Sequence, residues 1–112
     1  MKHEESQLQR ACKMWYDMQY PQRKKLCFAV PNGGRRDARE ARSMRLEGVE
    51  AGVADMILID NGGKAVFIEF KTPKGKQSQH QVAFETAVTN NGNDYYIVRT
   101  FEDFVNVVKS VL

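Results

Sequence analysis

At 112 residues the chain has room for one domain with a modest core, not for a catalytic domain and an accessory one, and is read as a single domain over 1–112. Apolar residues make up 42% and charged residues 28%, as in an ordinary globular protein. No apolar run approaches the roughly 20 residues of a membrane span, so no membrane contact is expected. The net charge of +3 is unevenly spread: residues 1–48 hold eleven Lys/Arg against six Asp/Glu (+5), and residues 49–112 hold six against eight (−2). This asymmetry suggests a polyanion-facing surface beside an acidic site. The opening "MKHEESQLQR" has no apolar h-region, which points to a cytoplasmic protein. Cys12 and Cys27 have no metal-ligand spacing and read as two buried, reduced thiols. His3 and His80 have no partner at a ligand spacing either.

"HEESQLQRACKMWYDMQY" predicts a helix, with Leu8, Cys12 and Trp15, helped by Ala11 and Met18, on its apolar face and Pro21 ending it. "LCFAV" reads as a short strand closed by "PNGG". "RRDAREARSMRLEG" is rich in helix formers and stops at Gly48. "DMILI" is a near-continuous apolar run, expected as a strand covered on both faces. "NGG" predicts a hairpin turn that returns "KAVFIEFK" antiparallel beside it. After the polar loop "TPKGKQSQ", Ser78 can cap a helix to about Asn90, with Val82, Phe84, Ala87 and Val88 as apolar contacts. "YYIVR" is a further strand. Thr100 can cap a last amphipathic helix carrying Phe101, Phe104, Val105, Val108 and Val111 or Leu112. The order α-β-(α)-β-β-α-β-α predicts an α/β fold, a mixed sheet of about four strands flanked by helices.

Three charges sit oddly in that sheet: Asp55, Glu69 and Lys71. A buried carboxylate is costly unless paired or bound to a metal. The hairpin folds Asp55 back toward Glu69, and the two-residue period puts Glu69 and Lys71 on one face with Phe70 turned into the core. Two carboxylates can hold a hard divalent ion such as Mg²⁺ or Mn²⁺ and leave room for water and a phosphate oxygen. The lysine can orient or deprotonate that water, or stabilise an anionic transition state. Such a set suits phosphodiester cleavage. The bland alternative is an Asp at a turn and a Glu–Lys pair on a solvated strand face.

With its flanks, the set resembles the PD-(D/E)XK nuclease superfamily, and within it the virus-type replication-repair nuclease domain, VRR-NUC, in stand-alone form. Members of that family usually show a first helix with Glu and Gln, an Asn-Gly segment, Gly-Val-Pro-Asp, Glu-X-Lys and a Ser-X-X-Gln opening the next helix. This chain has Glu5 and Gln9, Asn32-Gly33, Gly52-Val53-Ala54-Asp55, Glu69-Phe70-Lys71, and Ser78 followed by Gln81. The resemblance covers about residues 4–99 and is specific as a set. Ala54 departs from it by replacing a proline, which stiffens that position without supplying chemistry.

The resemblance implies a restriction-endonuclease-like core and a Mg²⁺- or Mn²⁺-dependent nuclease acting on DNA. Asp55, Glu69 and the main-chain carbonyl of Phe70 would be metal ligands, and Lys71 would serve the attacking water. Gln81 would support the site from its helix. Glu5 would reach the metal directly or through water, with Glu4, one residue round, as the competing choice. Stand-alone members resemble Holliday-junction resolvases in organisation, which implies a homodimer; the C-terminal helix, Trp15, Tyr16 and Tyr20 are candidate contacts. The resemblance also implies a phage or mobile-element source, hence a host cytosol.

For the nucleic acid, Asn32 and Gly33 offer main-chain donors beside a stripe of Arg35, Arg39 and Arg42, with Arg36 next to it; Lys74 and Lys76 add charge from the loop. The alternative for these arginines is a solvated face interleaved with Asp37 and Glu40. "PQRKK" is a second basic patch. With no recognition helix or zinc finger in sight, selectivity is expected from DNA shape, such as a branch or junction, in replication, recombination or repair. A non-cleaving nucleic-acid-binding module or nuclease subunit of the same fold is the alternative, and a sequence-reading restriction-type nuclease a third.

Overall fold

The computed structural model describes residues 3–31 and 37–112. Helix α1 (His3–Gln19) leads into a 3₁₀ segment at Pro21–Leu26, strand β1 (Cys27–Ala29) and helix α2 (Ala38–Leu46). Strands β2 (Met56–Ile59) and β3 (Ala65–Phe70) follow, then helix α3 (Gln79–Asn90), strand β4 (Asp94–Val98) and helix α4 (Phe101–Val111). The expected element order is met. The addition is the 3₁₀ segment, which takes up Leu26 and leaves β1 shorter than "LCFAV".

The sheet runs β1-β2-β3-β4, with β1 and β2 antiparallel to their neighbours and β3 parallel to β4. The parallel pair needs a crossover, and α3 supplies it. The β2–β3 turn is locked by Asp60, whose Oδ1 accepts the amides of Gly62 and Lys64 at 2.8 and 2.9 Å. Gly63 takes the positive φ of 85° that closes this turn.

One face of the sheet carries the core. Cys27, Met56, Leu58, Val66, Ile68, Phe70 and Val98 pack against Cys12 and Tyr16 of α1 and Phe104 and Val108 of α4. The inner stripe of α1 is therefore Glu5, Cys12 and Tyr16, with Leu8 and Trp15 beside it; Ala11 and Met18 are exposed, contrary to the sequence expectation. Val107 likewise lies deeper in α4 than Val105. β2 is not covered equally on both faces: Met56 and Leu58 are buried, Ile57 and Ile59 half-buried. The second face meets α3, whose residues are at most half-buried, with Phe84 edge-on to Phe67. Glu69 points to this second face, and that placement governs the site.

Candidate active site

Asp55 stands just ahead of β2, and Met56 pairs with Ile68. Beyond that pair the Phe70 amide has no β2 carbonyl to meet, and the Asp55 carboxylate takes its place, accepting the N–H at Oδ2 over 2.7 Å. On the opposite edge of β3, the Lys71 amide bonds the Val98 carbonyl at 3.0 Å. The end of β3 is thus fixed from both sides.

Glu69 is fully buried. Its Oε1 accepts from Gln77 Nε2 at 3.1 Å and from the Tyr95 hydroxyl. The same Gln77 nitrogen donates to Glu85 Oε1 at 2.9 Å. Lys71 Nζ lies 3.6 Å from Glu69 Oε2, but among the described residues that oxygen accepts no hydrogen bond. Burial, and then the bond to Glu69, push the Tyr95 phenol upward, so it stays a donor. Burial also raises the Asp55 carboxyl; the Phe70 amide opposes this, Glu69 and Glu5 add to it, and Lys71 opposes it.

A cleft of about 410 Å³ opens in front of Asp55, with Glu5, Gln9, Pro31, Gly52 and Gln81 among its walls. Between the two acidic candidates of α1, Glu5 is buried and faces the cleft, whereas Glu4 is exposed. Gln81 also reaches the cleft, but its side-chain oxygen is spent: it accepts the Ser78 amide at 2.8 Å in a reciprocal cap of α3. Gln81 can therefore offer the cleft its NH₂ group, a donor. Gly52, at φ 81°, lies against the main chain of His80 and Gln81, which docks the Gly-Val-Ala-Asp segment on the first turn of α3.

The donor set suits a small hard cation. Glu69 Oε2 is an orphaned buried carboxylate oxygen, which an ion would satisfy. Asp55 is tied to the same strand end by accepting the amide of the next residue, Phe70, at 2.7 Å. Among the described residues no three His, Cys, Asp or Glu side chains cluster closely enough to hold an ion. Mg²⁺ needs no such cage, since one or two carboxylates suffice and waters complete its shell.

The nucleic-acid candidates are less gathered. Asp37 caps α2 by accepting the Glu40 amide at 2.8 Å, and Arg39 and Arg42 are exposed on the helix that follows. Asn32, Gly33, Arg35 and Arg36 lie outside the described residues, so only the Arg39–Arg42 part of the stripe has a described position. Lys74 and Lys76 are exposed on the loop after β3. Arg99, not anticipated, clasps that loop: its Nη1 donates to the carbonyls of Thr72, Pro73 and Gly75 at 2.7, 3.3 and 2.8 Å. Of the suggested dimer contacts, Tyr16 is fully buried in the core and Trp15 packs edge-on against Phe101 and Phe104, so this chain's own fold uses them. No described helix is long and apolar enough to cross a membrane.

No family model matches the sequence, and no curated protein matches it. A solved structure named "VRR_NUC domain protein" superposes on 100% of this chain and 90% of its own length, with a TM-score of 0.81 at 16% identity. The chain has a VRR-NUC-like fold. At that identity the likeness is one of architecture, an α/β fold whose mixed sheet is flanked by helices. Tyr95 and Gln77 had no sequence signal of their own: they meet Glu69 from 26 and 8 positions away.

Proposed function

We propose that the chain is a Mg²⁺- or Mn²⁺-dependent endonuclease that hydrolyses phosphodiester bonds in branched or junction-like DNA. The observation that carries this reading is the convergence at the end of β3: Asp55 on the Phe70 amide, and the buried Glu69 with one unbonded oxygen 3.6 Å from the Lys71 ammonium. Asp55, Glu69 and the Phe70 carbonyl would hold the ion. When bound it would acidify a water and offset charge gathering on phosphorus.

The chain's own groups do the rest. Lys71, only 12% exposed at its side chain and 3.6 Å from Glu69 Oε2, would orient water and stabilise an anionic phosphate there. Glu5 faces the same cleft as Asp55 and accepts from a water between them. Gln81 donates its NH₂ to a phosphate oxygen or water. Arg39, Arg42, Lys74 and Lys76, with Asn32, Gly33, Arg35 and Arg36, would follow the backbone. A homodimer with paired sites would cut two strands symmetrically, in the cytosol.

A non-cleaving DNA-binding module of the same fold is the second reading. One observation favours it: Glu69 already has the Tyr95, Gln77 and Lys71 side chains as partners without an ion. Labelled four-way junction, flap and linear duplex, each with Mn²⁺, Mg²⁺ or EDTA, separate the two. Metal-dependent cutting of the branched substrates, lost in Lys71→Ala and Asp55→Ala, is expected. Binding without cutting of any substrate overturns the nuclease reading. Cutting of linear duplex at one sequence replaces shape selectivity with sequence reading.

A further inference from the structure

We propose that Tyr95 and Gln77 are positioning residues that present a single oxygen of Glu69 to the cation, an inference that rests on the metal-dependent reading above. Tyr95 pairs with Phe67 across the parallel strands, and Glu69 is two residues beyond Phe67 on the same face. The phenol is thereby placed diagonally beside the carboxylate. Phe84 holds the ring, with its centroid 6.3 Å from that of Tyr95 and 5.2 Å from that of Phe67. Gln77 is held too, because its side-chain nitrogen is shared between Glu69 and Glu85.

Both donors act on the same oxygen, Oε1. Rotation of the carboxylate would strand the two donors in a buried site, so the group keeps one orientation. Oε2 is left without a hydrogen bond among the described residues, on the side where Lys71 lies. A carboxylate fixed in this way offers one oxygen in one direction and loses little rotational freedom when a cation binds. Partners behind a metal-binding carboxylate typically change metal affinity by about 10–100-fold when removed.

The test is calorimetric titration of Mn²⁺ into the DNA-free full chain, with melting in EDTA as a separate readout. Tyr95→Phe keeps the ring and removes the hydroxyl. It is expected to weaken Mn²⁺ binding about 10–100-fold, whereas any stability lost with the hydroxyl's bond to Glu69 appears separately in the EDTA melt. Gln77→Met is expected to act in the same direction and carries the test if Tyr95→Phe does not fold. Wild-type Mn²⁺ affinity in a folded variant of either kind, with Asp55→Asn abolishing binding, overturns the positioning role and spares the metal site. Unchanged Mn²⁺ binding in Asp55→Asn overturns both. A purely structural role would lower melting in EDTA and leave Mn²⁺ affinity alone, which also counts against the proposal.

Discussion

The Asp55 carboxylate accepts the main-chain N–H of Phe70 at 2.7 Å, so the same side chain that faces the cleft also terminates the β2–β3 ladder. Asp55 thus has a structural task beside the chemical one proposed for it, and isosteric substitution separates the two. Asn retains an oxygen to accept the Phe70 amide and removes a half-buried charge that Glu69 and Glu5 disfavour and, among the described charged groups, only Lys71 offsets. Asp55→Asn is therefore expected to melt in EDTA at or above the wild-type temperature while losing metal-dependent cleavage. Asp55→Ala, which leaves the amide unpaired, is expected to cost about 1–3 kcal/mol. Urea unfolding of both variants in EDTA checks this, and a less stable Asn than Ala variant contradicts it.

Gly52 sits at φ 81°, where a Cβ would collide with the His80 carbonyl group and come within 2.8 Å of the Gln81 nitrogen. Both obstacles are main chain and cannot swing aside. Gly48 has a comparable φ of 105° but open space around it. Gly48→Ala should cost only the backbone penalty of about 1–2 kcal/mol, and Gly52→Ala clearly more, because the Asp55 segment must lift off α3. Denaturant unfolding gives the order directly, and equal costs would refute the close-approach argument.

Much of the architecture was legible because its signals are local. Asn61-Gly62-Gly63 marks the hairpin turn, Ser78 and Thr100 accept the helix-capping amides expected of them, and α3 links parallel strands as a crossover must. The meeting of Asp55 with the end of β3 follows from hairpin register. What surrounds Glu69 was not legible, because Tyr95 reaches it through parallel pairing and Gln77 through a loop without periodicity. Gln81 shows the opposite case. Ser-X-X-Gln is itself a capping-box pattern, and its side-chain oxygen is committed to that cap before any site can use it. The apolar stripe of α1 was partly misread because Met18 and Tyr16 are both compatible with apolar spacing, and only tertiary packing turns Tyr16 inward.

Arg99 holds the loop that carries Lys74, Lys76 and Gln77 through three carbonyls. Hydrogen bonds from a charged donor are worth about 1.5–3 kcal/mol, so losing them should loosen the loop by roughly tenfold or more in its opening equilibrium. Arg99→Met is expected to be cleaved by trypsin after Lys74 or Lys76 at least about ten times faster than wild type. Timed proteolysis with mass analysis of the fragments reads this out. Unchanged cleavage would mean that the clasp does not restrain the loop.

Cys12 and Cys27 are both fully buried and free, and Cys27 Sγ lies 3.5 Å from Met56 Sδ. Burial first, then the Cys27 charge, push the Cys12 thiol from its ordinary 9.0 up to about 12. Burial pushes Cys27 up to about 11, with Lys13 opposing and Asp17 adding to the shift. Neutral thiols are poor nucleophiles, so neither should react with a thiol reagent in the native protein at mildly alkaline pH, and both should react once it is denatured. The sign for stability follows from the same shift. Below 9.0 both folded and unfolded states hold their thiol protons and the full contribution is present. Above it the unfolded chain releases protons that the folded chain keeps, so stability falls as pH rises toward about 11 to 12. Cys12→Ala in combination with Cys27→Ala should remove that part of the alkaline decline while lowering stability at neutral pH through the cavities it opens. Melting curves across the alkaline range check both effects, and an alkaline decline unchanged by the double substitution would show that the thiols do not drive it.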